Sequence, residues 1–214
     1  MDFISSNWAK IDSPPITRWE VADHSLRRRE ALSAKFVGKV LMVAATNPRV
    51  RANDTDYRYR PDTAFTHLTG WGSATVPGSV LLIDGRQENC ESTLYLMPTA
   101  GRDSDEFFAN PAIGEFWVGP RPTLAQVSLQ LGIETKDLKE MEHDLKSIGA
   151  VLEMEDPELA EAASSLRFVK DDYEIAQMRE AVGITVAGFR EVARSIPKAT
   201  KQARGERVVE TAFY

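Results

Sequence analysis

"RANDTDYRYRPDTAFTHLTGW", residues 51–71, is the stretch on which the reading of this chain turns. Asp56 to Arg60 sets five charged or aromatic residues in a row, Pro61 follows, and an apolar-leaning segment runs to Gly70. The sequence on either side is plainer. Upstream, "KVLMVAAT" (39–46) is an unbroken apolar run, the pattern of a strand covered on both faces. Downstream, "SVLLID" (79–84) and "STLYLMP" (92–98) read as two strands, and the Gly- and Asn-containing connection 85–91 is short enough for a hairpin. Between them, "AFTHLTG" (64–70) reads as strand-like, with Phe65 and Leu68 entering the sheet. "TGWGSATVPG" (69–78) then reads as a turn joining two strands.

Helical patterns flank these strands. Ala22, Leu26, Ala31 and Leu32 share one face over 21–36, with Asp23 or Thr17 as candidate caps. Residues 123–133 read as a helix closed by Gly132, and 136–149 as another, with Leu138, Met141 and Leu145 at helical spacing and Gly149 as the stop. "AGRDSDEFFANP" (100–111) reads as a loop. Strands interleaved with helices give an α/β fold, a mixed β-sheet flanked by helices. The expected division is an irregular arm over 1–20, a domain over 21–168, and a helical segment over 169–214. In that last segment Ile175, Met178, Val182, Val186, Phe189 and Val192 form one apolar stripe, Asp171 and Glu174 make a capping box, and Pro197 ends the helix. A second helix begins near Gly205 with Val208, Val209, Ala212 and Phe213 on one side. Its apolar face reaches Tyr214 with no stop signal, so the chain reads as the front end of something longer.

Composition excludes several classes. The chain has 214 residues, 43% of them hydrophobic and 27% charged, enough for a sizeable core. Its net charge of −6 carries no dominant basic footprint for nucleic acid. The run Arg27-Arg28-Arg29 reads as a solvated helix face. One cysteine, Cys90, rules out an intrachain disulfide and a four-cysteine zinc site. No apolar run approaches the ~20 residues needed to span a membrane, and the N-terminal residues do not read as a signal peptide. A cytoplasmic protein is expected.

The search for chemistry finds no self-contained catalytic set. There is no His-Glu-x-x-His, no Cys-x-x-Cys and no Gly-x-Ser-x-Gly. His24, His67 and His143 lie in separate segments; His67 reads as a satisfied core or edge histidine and His143 as part of a solvated helix face. Acids on both sides of Cys90 oppose thiolate chemistry. Asp103, Asp105 and Glu106 read as a loop and helix cap rather than a cation site.

Three motifs carry a resemblance. The opening stretch resembles Arg-x-Asn-Asp-x-x-Tyr-x-Phe-Arg-x-Asp-Ser-x-Phe-x-Tyr-Leu-Thr-Gly of the aminopeptidase P N-terminal domain, through Arg51, Asn53, Asp54, Tyr57, Arg60, Asp62, Phe65, Leu68, Thr69 and Gly70. Tyr59 stands for Phe, Thr63 for Ser and His67 for Tyr. "EFWVGPR" matches that domain's Glu-x-Trp-x-Gly-x-Arg through Glu115, Trp117, Gly119 and Arg121. "LRFVKDDYEIAQMREA" (166–181) is similar to the entry of the catalytic "pita-bread" domain, although "QARGERVVE" lacks the usual Pro-Gly before the second helix.

The resemblance implies the N-terminal portion of a Xaa-Pro aminopeptidase, a metallopeptidase that removes the residue before proline. In the whole protein it implies two metal ions, manganese in the usual case, held by residues beyond this segment. No residue here matches a metal ligand, so the chain alone is expected to be inactive. It further implies homodimers or homotetramers in which this domain walls a neighbour's active site against proline-containing peptides. Trp117 and Asp54 are the residues placed nearest that substrate; core or interface packing for Trp117 and turn capping for Asp54 are the plainer readings. Arg60 and Asp62 are expected to hold the loop by charge-assisted hydrogen bonds. A stand-alone peptide-binding or assembly module, and the N-terminal part of a prolidase, stay open.

Overall fold

Apolar runs bounded by turn residues become the strands. In the computed structural model, which describes residues 15–86 and 90–213 with Phe3, Ser6, Asn7 and Ala9, the chain divides into two units, residues 1–168 and 169–214. Most of the expected N-terminal arm and the tip of the 85–91 connection lie outside the described residues.

The first unit runs α1 (Val21–Ser33), β1 (Val40–Ala44), β2 (Val50–Ala52), β3 (Thr55–Asp56), α2 (Thr63–Thr69), β4 (Val80–Asp84) and β5 (Glu91–Leu96). It continues through the single turns α3 (Glu106–Ala109) and α4 (Glu115–Val118), then α5 (Leu124–Leu131), β6 (Glu134–Asp137), α6 (Met141–Ile148), β7 (Leu152–Glu153) and α7 (Pro157–Phe168). Five strands form one mixed sheet in the order β6-β5-β4-β1-β7. β1–β4 and β4–β5 are antiparallel, with Leu82 opposite Met42 and Thr93. β6 and β7 add in parallel, Leu94 facing Thr135 and Leu41 facing Leu152. The fold is α/β, as the interleaved pattern predicts. β2 and β3 form a separate small hairpin.

Period-two alternation gives the sheet two apolar faces. Leu41, Val43, Leu81, Ile83, Leu94 and Leu96 point into the main core, which α1, α2, α5 and α7 close with Leu32, Phe65, Leu68, Val127, Leu131 and Leu159. Val80, Leu82, Tyr95 and Met42 form a thinner second layer with Met141, Leu145 and Ile148 of α6. This double covering explains the unbroken apolar run at 39–46.

Several expectations are corrected. "AFTHLTG" is a helix, not a strand, and Phe65 and Leu68 pack against the sheet rather than entering it. Full burial of each contributes about 1.5–3 kcal/mol, against about 0.5 kcal/mol of helix propensity lost at each of three threonines. Asp62 starts the helix, accepting from the backbone N–H of Ala64 at 2.7 Å and Phe65 at 3.2 Å. Gly70 ends it at φ 72°, its N–H donating to the Thr66 carbonyl. The 69–78 segment therefore joins a helix to a strand. Residues 106–109 in the expected loop form a helical turn, and the expected 136–149 helix is split: its first residues belong to β6 and a 3₁₀ turn (Leu138–Glu140) precedes α6. α1 begins after Glu20 with no side-chain cap, so neither Asp23 nor Thr17 serves.

The arginine run is corrected as well. Arg29 is only 1% exposed. Its guanidinium donates to the Leu68 carbonyl at 2.8 Å, Ser92 Oγ at 3.1 Å and Ser25 Oγ at 3.2 Å, tying α1 to the end of α2 and to β5. Burial pulls its pKa down to about 10, so the buried group is still charged at neutral pH. Arg28 donates to the His67 carbonyl at 3.0 Å. His67 is buried on α2, which agrees with a core histidine.

In the second unit, α8 (Asp172–Ala199) and α9 (Gly205–Phe213) pack as a hairpin, with the rings of Phe189 and Phe213 edge to face at 5.3 Å. The Asp171–Glu174 capping box is formed in both directions, at 2.9 and 3.0 Å. Pro197 does not end α8: it lies within the last turn, and Thr200 N–H still reaches the Ile196 carbonyl at 3.0 Å. Met178, Val182, Val186 and Phe189 stay exposed. Among the described residues no helix is long and apolar enough to cross a membrane.

Candidate functional site

The signature stretch builds a rim at the carboxyl end of β1. Ala45 N–H still pairs with the Ser79 carbonyl at 2.8 Å, and the chain then turns sharply at Thr46, φ 68°. A β-branched residue in the left-handed region is strained, and such strain persists only where its surroundings hold it. Here the Thr46 carbonyl accepts from Gly78 N–H at 2.9 Å and lies 3.2 Å from the Tyr59 hydroxyl, which also reaches the Ala45 carbonyl at 3.0 Å. Partial burial raises the Tyr59 phenol above its ordinary pKa, so the hydroxyl stays a donor. The β2–β3 hairpin projects beyond, turning at Asn53, φ 48°. The chain returns through Tyr57 N–H on the Arg49 carbonyl at 2.9 Å and Asp62 N–H on the Ala45 carbonyl at 3.2 Å.

This path encloses a cleft of about 460 Å³ whose wall includes Thr46, Arg49, Tyr57, Arg58, Tyr59 and Arg60. The expected pair of loop-holding charges is half realised. Asp62 works through its helix cap, whereas Arg60 is exposed on the cleft wall and its side chain has no hydrogen-bond or ion-pair partner among the described residues. Asp54 sits exposed in the hairpin turn outside the cleft wall, and among the described residues its carboxylate caps no backbone group.

The second motif makes an aromatic platform. Gly114 approaches the preceding turn so closely that an added Cβ would stand 2.3 Å from the Phe107 carbonyl oxygen, which fixes α4 against α3. The Trp117 indole N–H donates to the Phe108 carbonyl at 2.7 Å. The ring of Phe116 meets Phe108 at 4.9 Å and Trp117 at 5.1 Å, both edge to face. Trp117 is nonetheless 54% exposed, and Phe108 and Phe116 are exposed beside it. Trp117 is thus an oriented surface ring, not a core residue. Arg121, the last residue of the motif, is partly buried, which lowers its pKa, and one of its terminal nitrogens has no hydrogen-bond partner among the described residues. No described pocket brings Asp54 and Trp117 together. Arg49, Arg58, Phe108 and Phe116 belong to these surfaces without standing out in the sequence. The alternation Arg58-Tyr59-Arg60 and the pairs Phe107-Phe108 and Phe116-Trp117 were the available signals.

Among the described residues no group of three or more His, Cys, Asp and Glu side chains could hold a metal ion. The described residues do not fit the two metal ions implied for the whole protein.

The sequence profile of the aminopeptidase P N-terminal domain matches residues 25–154, which include both motifs. The chain belongs to the aminopeptidase P N-terminal domain family. Among curated proteins it is similar to Xaa-Pro aminopeptidase 1 of Streptomyces coelicolor, 31% identical over 230 residues that cover 99% of this chain and 46% of that protein. It is also similar to Xaa-Pro aminopeptidase 2 of the same organism, 32% identical over 227 residues, 98% of this chain and 47% of the other. The chain spans about half the length of these curated relatives. The fold matches aminopeptidase P from Escherichia coli with the inhibitor Pro-Leu, TM-score 0.63 at 19% identity, covering 80% of this chain and 44% of that one. The low-pH form of the same enzyme gives a TM-score of 0.60 over the same shares. This is the family that the two motifs resemble, and an aminopeptidase P N-terminal domain is what the five-stranded sheet and its helices form.

Proposed function

We propose that this chain is the N-terminal portion of a Xaa-Pro aminopeptidase, and that its domain walls the active site of a neighbouring copy while helping copies assemble. The observation that carries this reading is Trp117. A half-exposed indole held by its own N–H and by an edge-on phenyl ring is a surface made to be covered, and an apolar peptide residue fits its face. Asp54, exposed on a projecting hairpin turn with no partner for its carboxylate among the described residues, is suited to the cationic N-terminus of a peptide. Residues 169–214 are read as the first helices of the catalytic domain, and two metal ions, manganese in our reading, would come with the remainder of that domain.

Hydrolysis of an Xaa-Pro peptide with added Mn²⁺ tests the proposal. The 214-residue chain is expected to be inactive, and a longer protein that carries this domain with its catalytic half to be active. In the longer protein Trp117→Ala is expected to lower kcat/KM roughly tenfold, about 1.4 kcal/mol, chiefly through KM. Trp117→Phe, which keeps a ring but loses the bond to Phe108, should fall between. Unchanged kinetics for both Trp117→Ala and Asp54→Ala would remove the walling role, and activity in the short chain would overturn the division of labour.

A further inference from the structure

The rim cleft has a chemistry that peptide walling does not use. We infer that it is an oxyanion site for a small ligand carrying two or more carboxylate or phosphate groups, a role independent of the proposed peptidase function. Arg49, Arg58 and Arg60 all line the one cavity, and among the described residues none of the three guanidinium groups has a hydrogen-bond or ion-pair partner. The acid on the same wall, Asp62, is committed to two backbone N–H groups of α2. The hairpin acids Asp54 and Asp56 are not part of the wall. Three cations with no partner among the described residues thus share the cleft wall with one carboxylate that is already engaged, on a chain whose overall charge is −6. A ligand with two or more anionic groups can pair with more than one of these guanidinium groups at once.

The residue type sets the ligand class. Guanidinium groups offer planar forks of N–H donors that match carboxylate and phosphate oxygens two at a time, which a lysine ammonium does not. Tyr57, 61% exposed, adds a flat surface beside them. The volume of about 460 Å³ lies in the range of small-molecule sites. The floor is already ordered: the strained Thr46 turn is pinned by Gly78 N–H and backed by the Tyr59 hydroxyl. Binding therefore needs little further ordering of the backbone.

Calorimetric titration of the 214-residue chain with citrate and with pyrophosphate, at low and high NaCl, tests the inference. Saturable binding is expected, weakened by salt, and weakened roughly tenfold by each of Arg49→Gln, Arg58→Gln and Arg60→Gln. Arg51→Gln, exposed on β2 and outside the cleft wall, should bind as the parent does. Tighter citrate binding assigns a carboxylate source, and tighter pyrophosphate binding a phosphate source. Circular dichroism checks each variant's fold. Arg→Lys at the same positions keeps the charge without the fork and is expected to bind more weakly than the parent. No saturation with either anion, or binding that survives the triple Gln variant, would overturn the site.

Discussion

Replacing Arg29 measures what a buried cation contributes when all its identified hydrogen-bond acceptors are neutral. Its three hydrogen bonds run to the Leu68 carbonyl, Ser25 Oγ and Ser92 Oγ. A hydrogen bond to a charged group contributes about 1.5–3 kcal/mol, and desolvation of the guanidinium, visible in its lowered pKa, offsets several kcal/mol of the sum. In Arg29→Ala the desolvation cost disappears. The Leu68 carbonyl loses its partner, about 1–3 kcal/mol, and the vanished stem leaves a cavity between α1 and the sheet at about 0.8 kcal/mol per methylene. Together these two losses give an expected destabilisation of about 3–5 kcal/mol. For a unit of this size that lowers Tm by roughly 10 °C. Arg29→Met refills the stem volume without the charge and should cost about half as much. Thermal and urea melts followed by circular dichroism read both variants. Arg29→Ala within about 1 kcal/mol of the parent would refute the reasoning, and so would a Met variant less stable than the Ala variant.

Two further outcomes follow from local geometry. Gly70→Ala forces a side chain into φ 72° with its Cβ 2.7 Å from Val21 Cγ1, so it should destabilise by about 2–4 kcal/mol in a urea melt; a neutral result would mean that α1 moves freely away from α2. Asp144 accepts from Lys136 Nζ and the Tyr95 hydroxyl, both at 2.8 Å, and the lysine chiefly, then the tyrosine, hold its carboxyl below the ordinary value of 3.8. A depressed carboxylate stabilises above its unfolded pKa and loses that contribution as pH falls through its folded pKa. Below about pH 4 the parent should therefore lose stability faster than Asp144→Asn, and parallel melting curves from pH 6 to pH 2.5 would count against the pairing.

Legibility followed the amount of periodic pattern available. β1, β4 and β5 could be read because each is an apolar run closed by turn residues, and α8 because its apolar stripe spans many turns behind a capping box. α2 could not, because seven residues hold barely two turns and Thr, Phe and His suit a strand as well as a helix. The signal that would have settled it was Asp62 after Pro61, a helix start written in the cap rather than in the periodicity. Arg29 is not legible as a core residue, because charge in a triplet suggests solvent and the carbonyl that receives it lies 39 residues away. Pro197 reads as a stop in the sequence, but near the end of α8 it removes a single hydrogen-bond donor and the last turn persists. At the candidate site, motif resemblance found Trp117 and Asp54. It was silent on Arg49 and Arg58, since a cleft wall depends on how the 46–63 excursion returns to the sheet.

The strand order has a consequence for how the protein is made. β1 is the first strand of the sheet to be synthesised, yet its far edge waits for Leu152 and Glu153. The antiparallel run β1-β4-β5 can assemble as soon as Leu96 has left the ribosome, from neighbours close in the chain. Until β7 arrives, one side of β1 offers unpaired backbone groups to any nascent chain nearby. The vulnerable period in biosynthesis is therefore the translation of the segment between β5 and β7, and slow codons there would prolong it.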